Sequence, residues 1–319
     1  MNTLSFLGIY EGIDELKYKA FGGKENYDSL VESLRQAGYD VSGVSSVDIT
    51  ASNASSSALY GSVVLFHANV RYTDSAKTAH SAALDSVSID SYDGFTPVRS
   101  NALFVTGDPS ATCSVSFGSV SETFSYTVAF QSTSFDNIDI LVNKISRIDS
   151  SYSPTDLTES GAVSHVYPTG DEVNQMRDEA TQALSEMFAA AASDGIELYA
   201  LSGYRSYGTQ VYLYERAGGD SQNNTAAPGA SEHQTGLCMD ITWSAAGMGL
   251  SSDMQYDAEY EWLINNSYKY GFVLRYPDGW DDITGYVYEP WHYRYIGRDY
   301  AAAYRSSGAN TLEEFMSAH

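Results

Sequence analysis

An α+β fold in two parts is what this chain predicts, and three observations predict it. The first ~135 residues are rich in Ser and Thr and carry alternating strand patterns, clearest over 58–72 and 112–131. After Ile138 the chain changes mode, with a long apolar stripe at helical spacing followed by short apolar strands and loops. Helices and strands are thus segregated along the sequence, and 319 residues at 43% apolar content suffice for two separate cores.

In the first part, Leu30, Leu34 and Ala37 lie on one stripe and predict a helix over 27–37. Strands dominate from there to the junction. Within 112–131, Phe124, Tyr126 and Val128 alternate with Ser125, Thr127 and Ala129, the period of a half-buried strand. Gly107-Asp108-Pro109 and Gly118-Ser119 supply turns. His67 falls in an apolar strand and His80 in a polar, helix-like stretch, and both read as structural or solvated. No motif in this part carries chemistry. Residues 1–137 are therefore expected to form a small β-rich accessory domain of unknown role, with a junction at Ser132-Thr133-Ser134-Phe135-Asp136-Asn137.

Residues 138–319 form the second domain. A strand is expected over 138–142, a loop to Gly170, and a helix over 172–193 with Met176, Ala180, Leu184, Met187 and Ala191 on its apolar stripe. Asp171 is a candidate N-cap and Gly195 ends the helix. A short strand over 196–202 then delivers Gly203-Tyr204-Arg205-Ser206, with Gln210 in the helix after it.

Charge excludes some functions. The formal net charge is -24, and acids outnumber bases on both sides of Ile138. Such a field repels nucleic acid and anionic membrane surfaces, so no nucleic-acid partner is expected. No apolar run of about eighteen residues occurs, so no membrane span is encoded. The opening Met1-Asn2-Thr3-Leu4-Ser5-Phe6 lacks the basic and apolar segments of a signal peptide. Cys113 and Cys238 fall in different expected domains and are expected to be free thiols.

The chemistry concentrates near the C-terminus. His233 and Asp240 flank Gly236, and Glu289-Pro290-Trp291-His292 lies some fifty residues later. Two imidazoles, a carboxylate and a spare glutamate are the inventory of a catalytic zinc site with an open position for water. A turn at Gly236 followed by a short strand can return Asp240 beside His233. Glu289 and His292, three apart, would lie on opposite faces of a regular strand, whereas Pro290 favours an irregular geometry that lets both enter one pocket. Spacing alone leaves metal binding and a structural role both open.

Several further motifs occur in one order: Ser202-Gly203-Tyr204-Arg205-Ser206, Gln210, Ser231-Glu232-His233-Gln234-Thr235-Gly236-Leu237 with Asp240, Gly271-Phe272, Arg275-Tyr276-Pro277, Thr284-Gly285-Tyr286, and Glu289-Pro290-Trp291-His292-Tyr293-Arg294-Tyr295. Together they resemble the VanY-type family of zinc D-alanyl-D-alanine carboxypeptidases, which includes related L,D-carboxypeptidases. The resemblance runs from near Leu141 to Phe315. It departs from the family at Cys238-Met239 and in the short stretch 218–229, neither of which touches a proposed ligand.

The resemblance implies a zinc peptidase domain with a central antiparallel sheet flanked by helices, Zn2+ as cofactor, and His233, Asp240 and His292 as its ligands. Glu289 is then the general base. Arg205, if not an ordinary surface residue, forks onto a substrate carboxylate or stabilises an oxyanion. Gln210 contacts substrate by the family pattern. Ser231 either binds the substrate terminus or caps its turn. Tyr288 and Trp291 border the groove or belong to an aromatic wall. Cys238, with no basic partner nearby in sequence, reads as inert packing.

The expected substrates are peptidoglycan stem peptides, cut at the terminal D-Ala by a monomeric enzyme outside the cytoplasm, with a leader or anchor absent from this chain. Three alternatives stand beside that expectation: an L,D-carboxypeptidase trimming tetrapeptides, an endopeptidase cutting cross-links, and a degenerate peptidase kept as a wall-binding module.

Overall fold

The computed structural model describes residues 18, 19, 21, 23–129, 136–219 and 225–317. The chain divides into two compact units, Met1–Ala129 and Phe130–Ser317, each with its own apolar core. Most of the expected junction, and residues 220–224 of the short 218–229 stretch, lie outside the described residues, as does the start of the chain.

The first unit opens with α1 (Lys24–Gln36), whose Tyr27, Leu30, Val31 and Leu34 are buried. Nine strands come after it: β1 (Gly43–Ala51), β2 (Ser57–Leu59), β3 (Val63–Thr73), β4 (Ala79–Leu84), β5 (Ser88–Asp93), β6 (Phe95–Arg99), β7 (Ala102–Val105), β8 (Ser110–Phe117) and β9 (Val120–Ala129). They form two sheets, β1-β3-β7-β6 with β4 on β3, and β2-β9-β8-β5. Residues of both sheets enter one core, where Phe66 of β3 meets Phe124 of β9 at 5.1 Å between ring centroids. In β9, Tyr126 and Val128 are buried while Ser125, Thr127 and Ala129 face solvent, the alternation a one-sided sheet requires. His80 lies in β4 rather than a helix, stacked on Tyr72 and paired with Asp74 at 2.9 Å, while His67 pairs with Asp85 at 2.7 Å.

The second unit is α+β, built on a four-stranded antiparallel sheet ordered β12-β13-β15-β14. A two-stranded ribbon, β10 (Leu157–Thr158) with β11 (Met176–Arg177), precedes α2 (Asp178–Ser193). Then come β12 (Tyr199–Ser202), α3 (Tyr207–Arg216), β13 (Cys238–Thr242), α4 (Ala258–Asn266), β14 (Phe272–Leu274), α5 (Asp281–Thr284), β15 (His292–Tyr295), α6 (Arg298–Ser307) and α7 (Leu312–Ser317). Ala180, Leu184, Met187 and Ala191 of α2 pack in one core with Met239, Ile241, Tyr293 and Tyr295 of the sheet. No helix among the described residues is long and apolar enough to cross a membrane.

Two expected elements differ. The stripe beginning at Met176 is not one helix, because Asp171 caps a single 3-10 turn (Glu172–Asn174) and the chain extends through β11 before α2 starts. Residues 138–142 form no strand. The carbonyls of Ile138 and Ile140 accept from Arg294 Nη2 at 3.0 and 2.7 Å, and that of Val142 lies 3.4 Å from Arg275 Nη2. Guanidinium groups from β15 and from the residue that follows β14 take the acceptors that a neighbouring strand would have used.

Candidate active site

The metal-type residues converge where β12 ends, β13 begins and β15 starts. His233 sits in a 3-10 turn (Glu232–Thr235) closed by Gly236 in the left-handed conformation, φ 65°. The closest atom that a Cβ on Gly236 would meet is the movable end of a side chain, Leu157 Cδ2 at 2.8 Å, so it is the left-handed conformation that calls for glycine. The turn reverses the chain into β13 and leaves His233 Nε2 3.6 Å from Asp240 Oδ2. Asp240 lies opposite Ser202 of β12 and opposite His292 of β15. Its Oδ1 approaches His292 Nδ1 to 3.1 Å without making a hydrogen bond.

Gly203 fixes the first imidazole. Its carbonyl accepts from His233 Nδ1 at 2.6 Å, which places the ring proton there and leaves the Nε2 lone pair facing Asp240. A side chain at Gly203 would put its Cβ 2.4 Å from the carbonyl oxygen of Gln175 and 2.8 Å from Met239 Cε. The next amides continue the lock, with Tyr204 N donating to Gln175 O at 2.7 Å and Arg205 N to His233 O at 3.1 Å.

Glu289 reaches the same point by a turn. The His292 amide donates to Glu289 O at 3.1 Å, so the two side chains do not alternate across a strand but approach, Oε2 to Nδ1, at 3.5 Å. Tyr276 packs on His292 with ring centroids 4.8 Å apart.

The electrostatics separate the titratable groups. Burial, with Arg205 adding to it, lowers His233 to about 3 and keeps it neutral. Burial opposes ionisation of Asp240, but the nearby His233, His292 and Arg205 outweigh it and hold its carboxyl below the ordinary range. Burial disfavours charge on His292, yet Cys238, Asp240 and Glu232 raise its pKa well above the usual value. Burial raises Glu289 to about 7, and Asp240 and Glu232 push the same way against His292 and Arg205.

This donor set fits a zinc ion. Zinc bonds of ~2.0–2.2 Å in tetrahedral geometry separate ligand atoms by roughly 3.3 Å, between the two distances that Asp240 makes. Asp240 Oδ1 is buried and without a hydrogen-bond partner among the described residues, and the neutral His233 turns a lone pair the same way. Cys238 Sγ also lies within 4.8 Å of imidazole nitrogens of His233 and His292. Sequence reasoning missed that neighbourhood, because the basic partner of Cys238 is 54 positions away in the chain, at His292. Burial raises the pKa of Cys238, whereas the carboxyl of Asp240 is held below its ordinary range, which makes Asp240 the readier anionic donor of the two.

A cavity of about 200 Å³ opens onto these groups, lined also by Arg205, Gln210, Ser231, Leu250, Tyr286 and Trp291. Arg205 Nε is buried there without a hydrogen-bond partner among the described residues. Gln210, in α3, donates through Nε2 to Ala226 O at 2.7 Å and leaves Oε1 unpartnered among the described residues. Ser231 is buried and makes no capping hydrogen bond, so its turn-capping alternative is not realised. Tyr288 is not among the lining residues.

Known proteins match this part of the chain. The family model described as D-alanyl-D-alanine carboxypeptidase, VanY, matches residues 173–298, which hold every residue of the cluster. YodJ of Bacillus subtilis (strain 168), a carboxypeptidase by name, is 40% identical over 186 residues, covering 57% of this chain and 67% of YodJ. The chain belongs to the VanY family. Its match to the D-alanyl-D-alanine carboxypeptidase of Enterococcus faecium is 38% identical over 143 residues and spans 44% of each protein. Among solved structures, the LD-carboxypeptidase LdcB is 39% identical, with a TM-score of 0.56, over 58% of this VanY-family chain and 88% of that one.

Proposed function

We propose that the protein is a zinc-dependent D-alanyl-D-alanine carboxypeptidase that removes the terminal D-Ala from peptidoglycan stem peptides outside the cytoplasm. Residues 138–319 carry the activity in this reading, and residues 1–137 are an accessory domain. The observation that carries it is the meeting, in one small cavity, of His233, Asp240 and His292 with the half-buried carboxyl of Glu289 and the guanidinium of Arg205. Membership of the VanY family supports the same chemistry.

His233, Asp240 and His292 would hold the ion. Zinc, when bound, polarises the scissile carbonyl and acidifies water. Glu289, whose proton affinity burial has raised, takes a proton from the attacking water and passes it to the leaving amine. Arg205 presents a donor to a substrate carboxylate or to a developing oxyanion, and Gln210, Ser231 and Trp291 line the same space. Tyr288 has no part in this reading.

A second reading, L,D-carboxypeptidase action on tetrapeptide stems, is favoured by the likeness to LdcB, which extends over 88% of that chain. Digestion of synthetic penta- and tetrapeptides, read by mass, separates the two. Loss of one D-Ala from the pentapeptide alone is the expected D,D outcome, and conversion of tetrapeptide to tripeptide marks L,D activity. Absence of both products from zinc-loaded protein would remove the carboxypeptidase reading.

Chelation is expected to abolish activity and Zn2+ to restore it, while His292→Ala loses bound metal and turnover together, since three ligands leave none to spare. Full activity in excess chelator, checked by metal analysis, would sink the zinc mechanism.

Arg205→Lys keeps the charge but loses the fork. If Arg205 binds the terminal carboxylate, activity on free acids falls strongly and their advantage over C-terminally amidated peptides narrows. If it serves the oxyanion, both substrates fall together in kcat. Wild-type kinetics on both would take Arg205 out of the site.

A further inference from the structure

Four charged side chains without solvent exposure meet beside His292. Glu232 Oε1 accepts from Arg275 Nε at 2.7 Å and from Arg294 Nη1 at 2.9 Å. Arg275 then forks onto Glu313 of α7, Nη1 to Oε2 at 2.9 Å and Nη2 to Oε1 at 2.6 Å. Two carboxylates and two guanidiniums thus balance one another, and all four side chains are 0% exposed.

The second oxygen of Glu232 is the one left over. Oε2 lies 3.5 Å from His292 Nε2, and these two buried atoms have no hydrogen-bond partner among the described residues. The other ring nitrogen, Nδ1, faces Asp240 and Glu289. A neutral imidazole carries a single N–H. If Nδ1 gives its lone pair to a metal, the proton resides on Nε2, where the facing carboxylate oxygen is Glu232 Oε2, beside the weaker acceptor Cys238 Sγ. Glu232 cannot turn away, because both arginines hold its Oε1, and Arg294 is itself anchored to the carbonyls of Ile138 and Ile140.

We propose that Glu232 is a positioning residue that sets the tautomer and ring orientation of His292, and that Glu313, acting through Arg275, makes α7 part of the support of the metal site. The inference rests on His292 being a metal ligand through Nδ1. It assigns to Glu232 and to a short C-terminal helix a role in metal affinity rather than in contact with substrate. Carboxylates that orient a ligating histidine are commonly worth about 10 to 100-fold in metal affinity.

The test uses the full chain. In the zinc-loaded wild type, 15N shifts of the histidine ring are expected to show His292 protonated at Nε2. A proton on Nδ1 of His292 would overturn the proposal whatever the variants do. Zinc affinity is then measured by competition with a chromophoric chelator, for wild type, Glu232→Gln and Glu313→Gln, and the visible spectrum is recorded after Co2+ substitution. Glu232→Gln is expected to bind zinc about 10 to 100-fold more weakly and to alter the Co2+ spectrum, with Glu313→Gln shifted in the same direction by less. Unchanged affinity and spectrum in folded Glu232→Gln would overturn the role of Glu232, and unchanged affinity in Glu313→Gln would overturn that of α7. A wild type that binds no zinc would fail differently, removing the metal reading itself and this inference with it.

Discussion

Glu289→Gln is expected to keep its zinc and to lose turnover by about 10² to 10⁴-fold, the usual cost of removing a general base. The amide preserves the shape of the side chain beside His292, where Oε2 lies 3.5 Å from Nδ1, but it cannot accept and return a proton. Glu289 is not one of the three proposed ligands, so metal content and loss of kcat separate cleanly. Measuring kcat at saturating peptide together with zinc stoichiometry checks the claim. Near-normal turnover at full zinc occupancy would assign the proton transfer to another group.

Arg275→Met is expected to cost about 3–5 kcal/mol of folding stability, the range for breaking a buried ion pair by removing one partner. Arg275 donates to both Glu232 and Glu313, and none of the three side chains reaches solvent. Its loss leaves Glu232 with Arg294 as its remaining ion-pair partner and removes the guanidinium that Glu313 is paired with. Adding Glu313→Gln restores the charge balance and should recover part of the loss, because neighbours in one network are not additive. Urea unfolding monitored by tryptophan fluorescence reads both variants. A loss below about 1 kcal/mol for Arg275→Met would mean that water reaches the pair, reducing it to a surface interaction.

Local pattern made much of this architecture legible. Ala180, Leu184, Met187 and Ala191 read as the buried face of a helix, and the alternation at Tyr126 and Val128 read as a one-sided strand, because neighbours within a few residues decide both. The meeting of His233 with Asp240 was legible for the same reason, since one turn at Gly236 joins them. The features that escaped depend on distant partners. Residues 138–142 read as a strand, yet their carbonyls serve arginines more than 130 positions away. Glu232, Arg275, Arg294 and Glu313 each look like a solvated charge in isolation, and only the fold reveals that they neutralise one another in the interior. Tyr288 shares the alternating aromatic pattern with Trp291, yet of the two only Trp291 lines the cavity, a choice that periodicity does not encode.

The reciprocal bonds between residues 203–205 and His233 bear on how such a protein can be retuned. His233 gives its ring proton to Gly203 and takes the amide of Arg205 on its own carbonyl, so the ligand and the guanidinium are framed by one piece of backbone. A change that shifts one shifts the other. Leu250, by contrast, is 40% exposed on the cavity rim, and Trp291 lends its carbonyl to Ile241 while its side chain lines the space. An engineer seeking a different substrate preference would therefore vary Leu250 and the Trp291 side chain, leaving the frame that holds His233 and Arg205 untouched.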